Sequence, residues 1–392
     1  MLRELFFRHL AQTSPEPPCL EIVKGHGIYL YDRQGKKYAD LISGISVSNT
    51  GHANTDILDA VERQLRNFSH VMVYGEDVLE PQVLLAEKLT KLAGPPLDNV
   101  YFVNSGTEAV EGAVKLAKRY TGRPHVVSFR NAYHGSSHLC LSLMHLNPMN
   151  QAFRPLLPGI FRFPFNSEEV LEGIDTHCAC VIAEPIQGEG GAIPAGKDFL
   201  AAVRKKCNET GTLLIFDEVQ TGMGRTGSWF AFQEYGIIPD IVVLAKALGG
   251  GLPLGCFMAP QPIMKCLSDN PPLGHITTFG GNPVSCAASL AAIHYTEKHQ
   301  LILEVKKKET LFRSLLKHPQ IIGISGKGLL LALHLGSDAK VKKVLPLLLK
   351  NGIISDWFLF CDSALRISPP LIINDDEIAE SCALIRDALD QI

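Results

Sequence analysis

"DIVVLAKALGGG", residues 240–251, ends a short apolar run on one charged side chain, Lys246, and follows it with three glycines. The apolar stretch continues to residue 260 and so invites reading as a membrane span. Three glycines, Pro253 and the central charge argue against a lipid-facing helix, because free backbone groups and a lysine both cost several kcal/mol in a bilayer. The β-branched density of residues 240–245 reads instead as a strand whose end carries Lys246 into whatever lies beyond it.

Four other runs have the same character: "NVYFVNS" (99–105), "HVVSF" (125–129), "ACVIAEPI" (179–186) and "TLLIFDEV" (212–219). Amphipathic helical stretches separate them, such as 107–120, where Ala109, Ala113, Leu116 and Tyr120 fall near helical spacing on one face. Strands alternating with helices from about residue 52 imply an α/β fold with a doubly wound, mostly parallel sheet. Outside that region the pattern changes. Residues 27–47 alternate apolar and polar around a "DRQG" turn, which predicts an antiparallel hairpin. From Pro283 to about Lys317 the pattern is one long linking helix, and beyond it "GLLLALHLG", "AKVKKVLPLLLK", "ISDWFLF", "ALRIS" and a terminal helix from about Asp375 read as α+β. The expected organisation is a large domain over 52–290 and a smaller α+β domain built from 1–51 and 291–392.

The totals fit that division, since 392 residues exceed what one hydrophobic core usually serves. A hydrophobic content of 46%, a charged content of 20% and a net charge of −3 give no pull toward nucleic acid or membrane, which leaves small molecules as expected partners. The one close cysteine pair, Cys178 and Cys180, lies in an apparent strand whose neighbouring side chains alternate faces, so neither a disulfide nor a metal pair is expected there. Reduced cysteines and an N-terminus without a charged-then-apolar leader make the cytoplasm the expected compartment.

In open α/β sheets the ligand sits beyond the carboxyl ends of the strands. Three strands end there on chemistry. "VYFVNSGTEA" runs through Ser105, Gly106 and Thr107 into a helix, with Ser105 and Glu108 spaced as a capping box; a small-residue turn of this kind presents backbone N–H groups to an anion. "TLLIFDEV" carries Asp217 and Glu218 to a largely buried end, where an unpaired carboxylate is expensive and a cationic partner is expected. Lys246 follows Asp217 at the end of the next strand, where a dry surrounding would lower its pKa and make it a nucleophile toward a carbonyl. A lysine for an aldehyde, an aspartate for a ring nitrogen and a helix N-terminus for a phosphate together suit pyridoxal 5'-phosphate. No metal site competes, for the fourteen histidines contain no HExxH, and no GxSxG serine elbow appears.

With these residues in place, the chain resembles the class III (subgroup II, ω-amino acid) aminotransferases of the fold type I pyridoxal-phosphate-dependent transferases. The resemblance rests on "YDRQGKKYADLISGISVSNTGH" (31–52), "NSGTEAVEGAVKLAKRYTGR" (104–123), "AYHGSS" (132–137), "AEPIQGEGG" (183–191), "IFDEVQTGMGRTG" (215–227), "PDIVVLAKALGGGLPLG" (239–255), "TTFGGNPVSC" (277–286) and "LRISPPL" (365–371). It implies that Lys246 forms the Schiff base with the cofactor and then shuttles a proton, and that Asp217 pairs with the pyridine nitrogen. By the same resemblance Tyr133 and Val219 pack on the ring faces, Gln220 lies near the phenolic oxygen, and Ser105, Gly106 and Thr107 hold the phosphate. Thr278 would reach that phosphate from the partner subunit of a homodimer. Arg366 would clamp a substrate carboxylate, and Glu189 would pair with Arg366 when the donor offers none.

The implied reaction moves an amino group, of the terminal kind found in ω-amino acids and related amines, to a 2-oxo acid such as 2-oxoglutarate by a ping-pong mechanism. The layout is nearest to the acetylornithine and ornithine types, with one departure. Those enzymes commonly carry an arginine after "HG" for the donor's distal carboxylate, whereas here Ser136 follows Gly135; Arg154, in "AFRPLLPG", is a candidate replacement. Two other readings share the motifs: an aminomutase of the glutamate-1-semialdehyde type, and a catalytically silent binding protein on the same fold. Retention of Lys246, Asp217, Arg366 and the phosphate turn argues against the silent protein.

Overall fold

The computed structural model describes residues 2–269 and 271–392. Among them is a seven-stranded sheet of β1 (Asn99–Val103), β2 (His125–Phe129), β3 (Ile160–Phe163), β4 (Cys178–Ala183), β5 (Leu213–Asp217), β6 (Ile241–Leu244) and β7 (Gly255–Ala259). Its order is β1-β7-β6-β5-β4-β2-β3. All neighbours run parallel except β7, which is antiparallel to both β6 and β1. The sequence reading missed β3 and β7. β3 is a four-residue edge strand interrupted by Arg162, and β7 begins at a glycine just after the glycines and proline that end the β6 pattern.

Continuous apolar runs form β4 to β7 because helices cover both faces, and every residue of these four strands is buried. One face packs Val181, Leu214, Phe216, Val242 and Leu244, and the other packs Ile182, Ile215, Ile241 and Val243 against helix Gly106–Thr121. In that helix Ala109, Ala113 and Leu116 are buried as expected. Tyr120, in the last turn, is exposed, and Ala117 completes the buried stripe.

Cys178 and Cys180 are also apart, but not for the reason expected. Strict alternation returns residues two apart to one face. Here the register against β2 slips, with His125 opposite Cys178 and Val126 opposite Cys180, so Ala179 is an extra residue. Cys178 therefore packs with Val181 on one face and Cys180 with Ile182 on the other, and both thiols are free.

The N-terminal strands Ile22–His26, Tyr29–Asp32 and Lys37–Asp40 pair antiparallel, and the last of them pairs parallel with Ile353–Ile354 near the other end of the chain. A four-stranded sheet of Gly323–Lys327, Leu330–His334, Trp357–Phe358 and Cys361–Ile367 lies in the C-terminal segment. The two termini share one core, in which Ile28 and Leu41 join Leu331, Leu333, Leu365, Ile367 and the helix Asp375–Leu389. The expected helix over 283–317 is instead two, Pro283–Lys298 and Leu301–Leu315, broken where Gln300 takes a left-handed φ of 50°. No helix among the described residues is long and apolar enough to cross a membrane.

Candidate active site

Parallel pairing of β5 with β6 sets Asp217 opposite Val243, so Asp217 and the residues after Leu244 emerge at the same edge of the sheet. A cavity of about 550 Å³ opens there. Ser105, Gly106, Thr107, Tyr133, Asp217, Val219, Gln220 and Lys246, scattered over 142 positions of sequence from 105 to 246, all line it. Thr278 does not; it is exposed on the loop between Thr277 and Gly280.

The cavity's anion-binding end is the start of helix Gly106–Thr121. Ser105 Oγ accepts the Glu108 N–H at 3.3 Å, while the Glu108 carboxylate accepts the N–H of Asn104 at 2.6 Å, one residue further back than an ordinary capping box reaches. Among the described residues the N–H groups of Gly106 and Thr107 have no protein acceptor, and they carry the positive end of the helix dipole. Close approach explains the glycine, since a Cβ on Gly106 would lie 3.2 Å from the Val219 methyls. Gly135 has a φ of 119° and its Cβ would fall 2.6 Å from Thr107. Thr107 Oγ1 donates to Ser137 Oγ at 2.8 Å and Ser137 Oγ donates to Glu111 at 2.7 Å, which fixes the second wall against the helix.

Asp217 Oδ1 accepts the Val219 N–H at 3.0 Å, and Oδ2 lies 2.7 Å from His134 Nδ1. Both side chains are buried. Burial opposes charging of His134, yet the hydrogen bond and charge of Asp217, with Glu184 behind it, hold the imidazole pKa above its ordinary value. The protein group that meets Asp217 is thus a histidine, which carries charge only when protonated. Sequence reasoning passed over His134 although "AYHGSS" contains it, because a partner 83 residues away leaves no local signal. Among the described residues no cation pairs with Glu218. It accepts hydrogen bonds from Thr221 Oγ1 (2.6 Å) and from the N–H groups of Ala231 (2.9 Å) and Phe232 (2.8 Å), and burial pushes its pKa up to about 7.

Lys246 adopts a left-handed φ of 50° directly after β6, which turns its side chain out of the strand path. No hydrogen bond among the described residues holds its Nζ, which faces the cavity. Burial pulls its pKa down to about 8; Glu189 opposes this and Arg366 adds to it. The amine is therefore largely neutral in mild alkali, where an ordinary lysine is not. In apoprotein, attachment of a simple aldehyde to Lys246, trapped with borohydride, should rise about tenfold per pH unit below pH 8 and then level off. A rise continuing toward pH 10 would show that the site does not depress this amine.

A second cavity of about 340 Å³ shares Lys246 and Tyr133 with the first. Arg366 closes it. Its Nη2 donates to both Glu189 oxygens at 2.9 and 2.8 Å, its Nε to Asp356 at 2.9 Å, and its plane lies 4.3 Å from the centre of the Phe358 ring. Gln220 donates to Glu189 at 3.0 Å, so one hydrogen-bonded group joins the two cavities. Though burial opposes it, the Arg366 guanidinium holds the Glu189 carboxyl below the usual carboxylate range. Asp356 was not foreseen, for "ISDWFLF" read only as one piece of an α+β pattern. Ser136 Oγ lies 3.3 Å from the Tyr133 hydroxyl, and Arg154 lines neither cavity.

An anion site, a buried carboxylate braced by histidine and an amine whose pKa burial lowers thus converge on a cavity of cofactor size. The class-III aminotransferase family pattern matches residues 10–389. The chain belongs to this family. The acetylornithine aminotransferase of Methanocaldococcus jannaschii is 40% identical over 95% of this chain and 92% of its own length. The [LysW]-aminoadipate semialdehyde/glutamate semialdehyde transaminase of Sulfolobus acidocaldarius is 36% identical over 94% of this chain and 95% of its own. Among solved structures, the ornithine aminotransferase of Toxoplasma gondii superposes with a TM-score of 0.92 at 29% identity, covering 100% of this chain and 94% of that one. This class-III aminotransferase is a pyridoxal 5'-phosphate-dependent transaminase of fold type I. The residues described above fit that cofactor, because the unpaired N–H groups of the helix start suit its phosphate and Asp217 suits a ring cation.

Proposed function

We propose that this aminotransferase moves the terminal amino group of an ω-amino acid or related amine to a 2-oxo acid, with 2-oxoglutarate the first acceptor to test. The observation that carries this reading is Arg366, buried at the wall of a cavity that also contains Lys246 and paired there with Glu189. A guanidinium would offer a bidentate site to an incoming substrate carboxylate when Glu189 turns aside, and Glu189 satisfies it when a donor brings only an amine. The names of the acetylornithine and ornithine relatives support a donor of this class.

In this reading Gly106 and Thr107, with Ser105, hold the cofactor phosphate, and Tyr133, Val219 and Gln220 form the walls around the ring. Bound pyridoxal phosphate supplies an electron sink for the pair left when the amine-bearing carbon loses its proton. Asp217, braced by His134, keeps a negative charge beside the ring nitrogen. Lys246 Nζ would take the proton from the amine-bearing carbon and return it beyond the nitrogen, on the carbon that carried the cofactor's aldehyde. Thr278, exposed in this chain, would complete the phosphate site of a partner in a homodimer. Ser136 supplies no charge to a distal carboxylate, which favours donors whose far end needs none.

The test is a half-reaction: holoenzyme is mixed with donor alone, and the released carbonyl product is counted. Ornithine, acetylornithine, lysine, 4-aminobutyrate, diamines and aromatic amines form the donor panel. One carbonyl per site is expected with at least one of them. If the cofactor changes state but no carbonyl leaves, the chain is an aminomutase and the proposal fails.

A further inference from the structure

Arg225 is fully buried, yet among the described residues no carboxylate touches it. Its Nη1 donates to the carbonyls of Leu329 (2.9 Å) and Pro369 (2.5 Å), and its Nη2 donates to Asn49 Oδ1. The Arg225 carbonyl accepts the Leu329 N–H at 2.9 Å. Nε is buried without a partner. Burial draws the guanidinium pKa down to about 9, with only the charge of Asp40 opposing it. A buried cation satisfied by neutral acceptors is a costly form of glue, and apolar packing would join the same segments more cheaply.

What the cation does that packing cannot is fix direction. Arg225 lies eight residues after Asp217, in the loop that leaves the sheet beside the cofactor cavity. Pro369 lies three residues after Arg366, at the end of the strand Cys361–Ile367. Asn49 ties the remaining segment: its Nδ2 donates to the Met223 carbonyl at 3.0 Å, and its own carbonyl accepts the Leu371 N–H at 2.8 Å. Gly328 lets the backbones close up, since a Cβ there would lie 2.5 Å from the Arg225 carbonyl oxygen. One planar guanidinium therefore ties its own segment, which carries Asp217, to three others, one of which carries Arg366.

We infer that Arg225 is a positioning residue that keeps Arg366 in register with Asp217 and Lys246, so that the carboxylate site and the amine chemistry face one cavity. This rests on Arg366 receiving the substrate carboxylate. The experiment compares Arg225→Met, Asn49→Ala and Arg225→Lys holoenzymes, with Arg366→Ala beside them. KM for the 2-oxo acid, KM for a carboxylate-free amine, kcat, the cofactor Kd and Tm are measured for each. Arg225→Met should raise KM for the 2-oxo acid by about tenfold or more while KM for the amine and the cofactor Kd change less than about threefold. Arg225→Lys should recover part of the loss, because an ammonium reaches one acceptor where the guanidinium holds three. If Arg225→Met does not fold, Asn49→Ala, which removes one acceptor and keeps the cation, should show the same selective rise on a smaller scale. A fall in Tm with no selective change in KM, or equal change for acid and amine, overturns the inference. If Arg366→Ala itself leaves KM for the acid unchanged, the underlying reading of Arg366 fails instead.

Discussion

Lys246→Ala should lower kcat for transamination by at least about 10³-fold, because it deletes the amine proposed to carry a proton at the reacting carbon. The fold should survive. No hydrogen bond among the described residues depends on Nζ, and the left-handed φ of 50° is no harder for alanine than for lysine, since both carry a Cβ. Thermal unfolding of the apoprotein should shift little, which separates a chemical loss from a structural one. Wild-type holoenzyme should be yellow and should be fixed by borohydride at Lys246, as peptide mapping would show. The variant should bind the cofactor through the helix start and Asp217 alone and resist fixation. Retention of more than about a tenth of the wild-type kcat would mean that another base serves the site.

The sheet and the chemistry at its edge were largely legible because each is written locally. A buried parallel strand needs an uninterrupted apolar run, and a residue at its carboxyl end is read from the same few letters: "LLIFD" gives Asp217 and "IVVLAK" gives Lys246. One cause of the failures is distance in sequence, for His134 braces Asp217 from 83 residues away. Asp356 meets Arg366 from only ten residues off, in a segment whose pattern gave no sign of the contact, whereas the Glu189 pair with Arg366 follows from the family resemblance. Glu218 misled the reading in another way. Its neighbour Asp217 takes the histidine, while Glu218 turns into the loop and is satisfied by backbone N–H groups, a solution that leaves no mark on charge pattern. The bulge at Ala179 and the break at Gln300 are backbone events without glycine or proline to announce them.

Arg366→Ala should raise KM for a 2-oxo acid by roughly 10²- to 10³-fold, the range set by removing one partner of a buried charge pair. KM for an amine without a carboxylate should change far less, because such a donor never meets the guanidinium. Arg366→Lys should recover only a minor part, since an ammonium cannot donate to both Glu189 oxygens and Asp356 from one plane. The substitution also strands the buried Glu189 and the half-buried Asp356, and this gives the variant a pH signature. In the wild type Glu189 titrates below the usual range because of Arg366, so its pairing stabilises the fold above the ordinary carboxylate pKa and is lost as pH falls through the lowered one. Without Arg366, Glu189 must be buried either charged with only the neutral donors Gln220 and the Leu359 N–H or protonated, and the half-buried Asp356 loses its cation. Protonation comes free at low pH and is resisted at high pH, so the variant's loss of Tm should be greater at pH 8 than at pH 5. A Tm loss independent of pH, or a cofactor Kd that rises in step with KM for the acid, would make Arg366 a structural residue and remove the carboxylate site from this cavity.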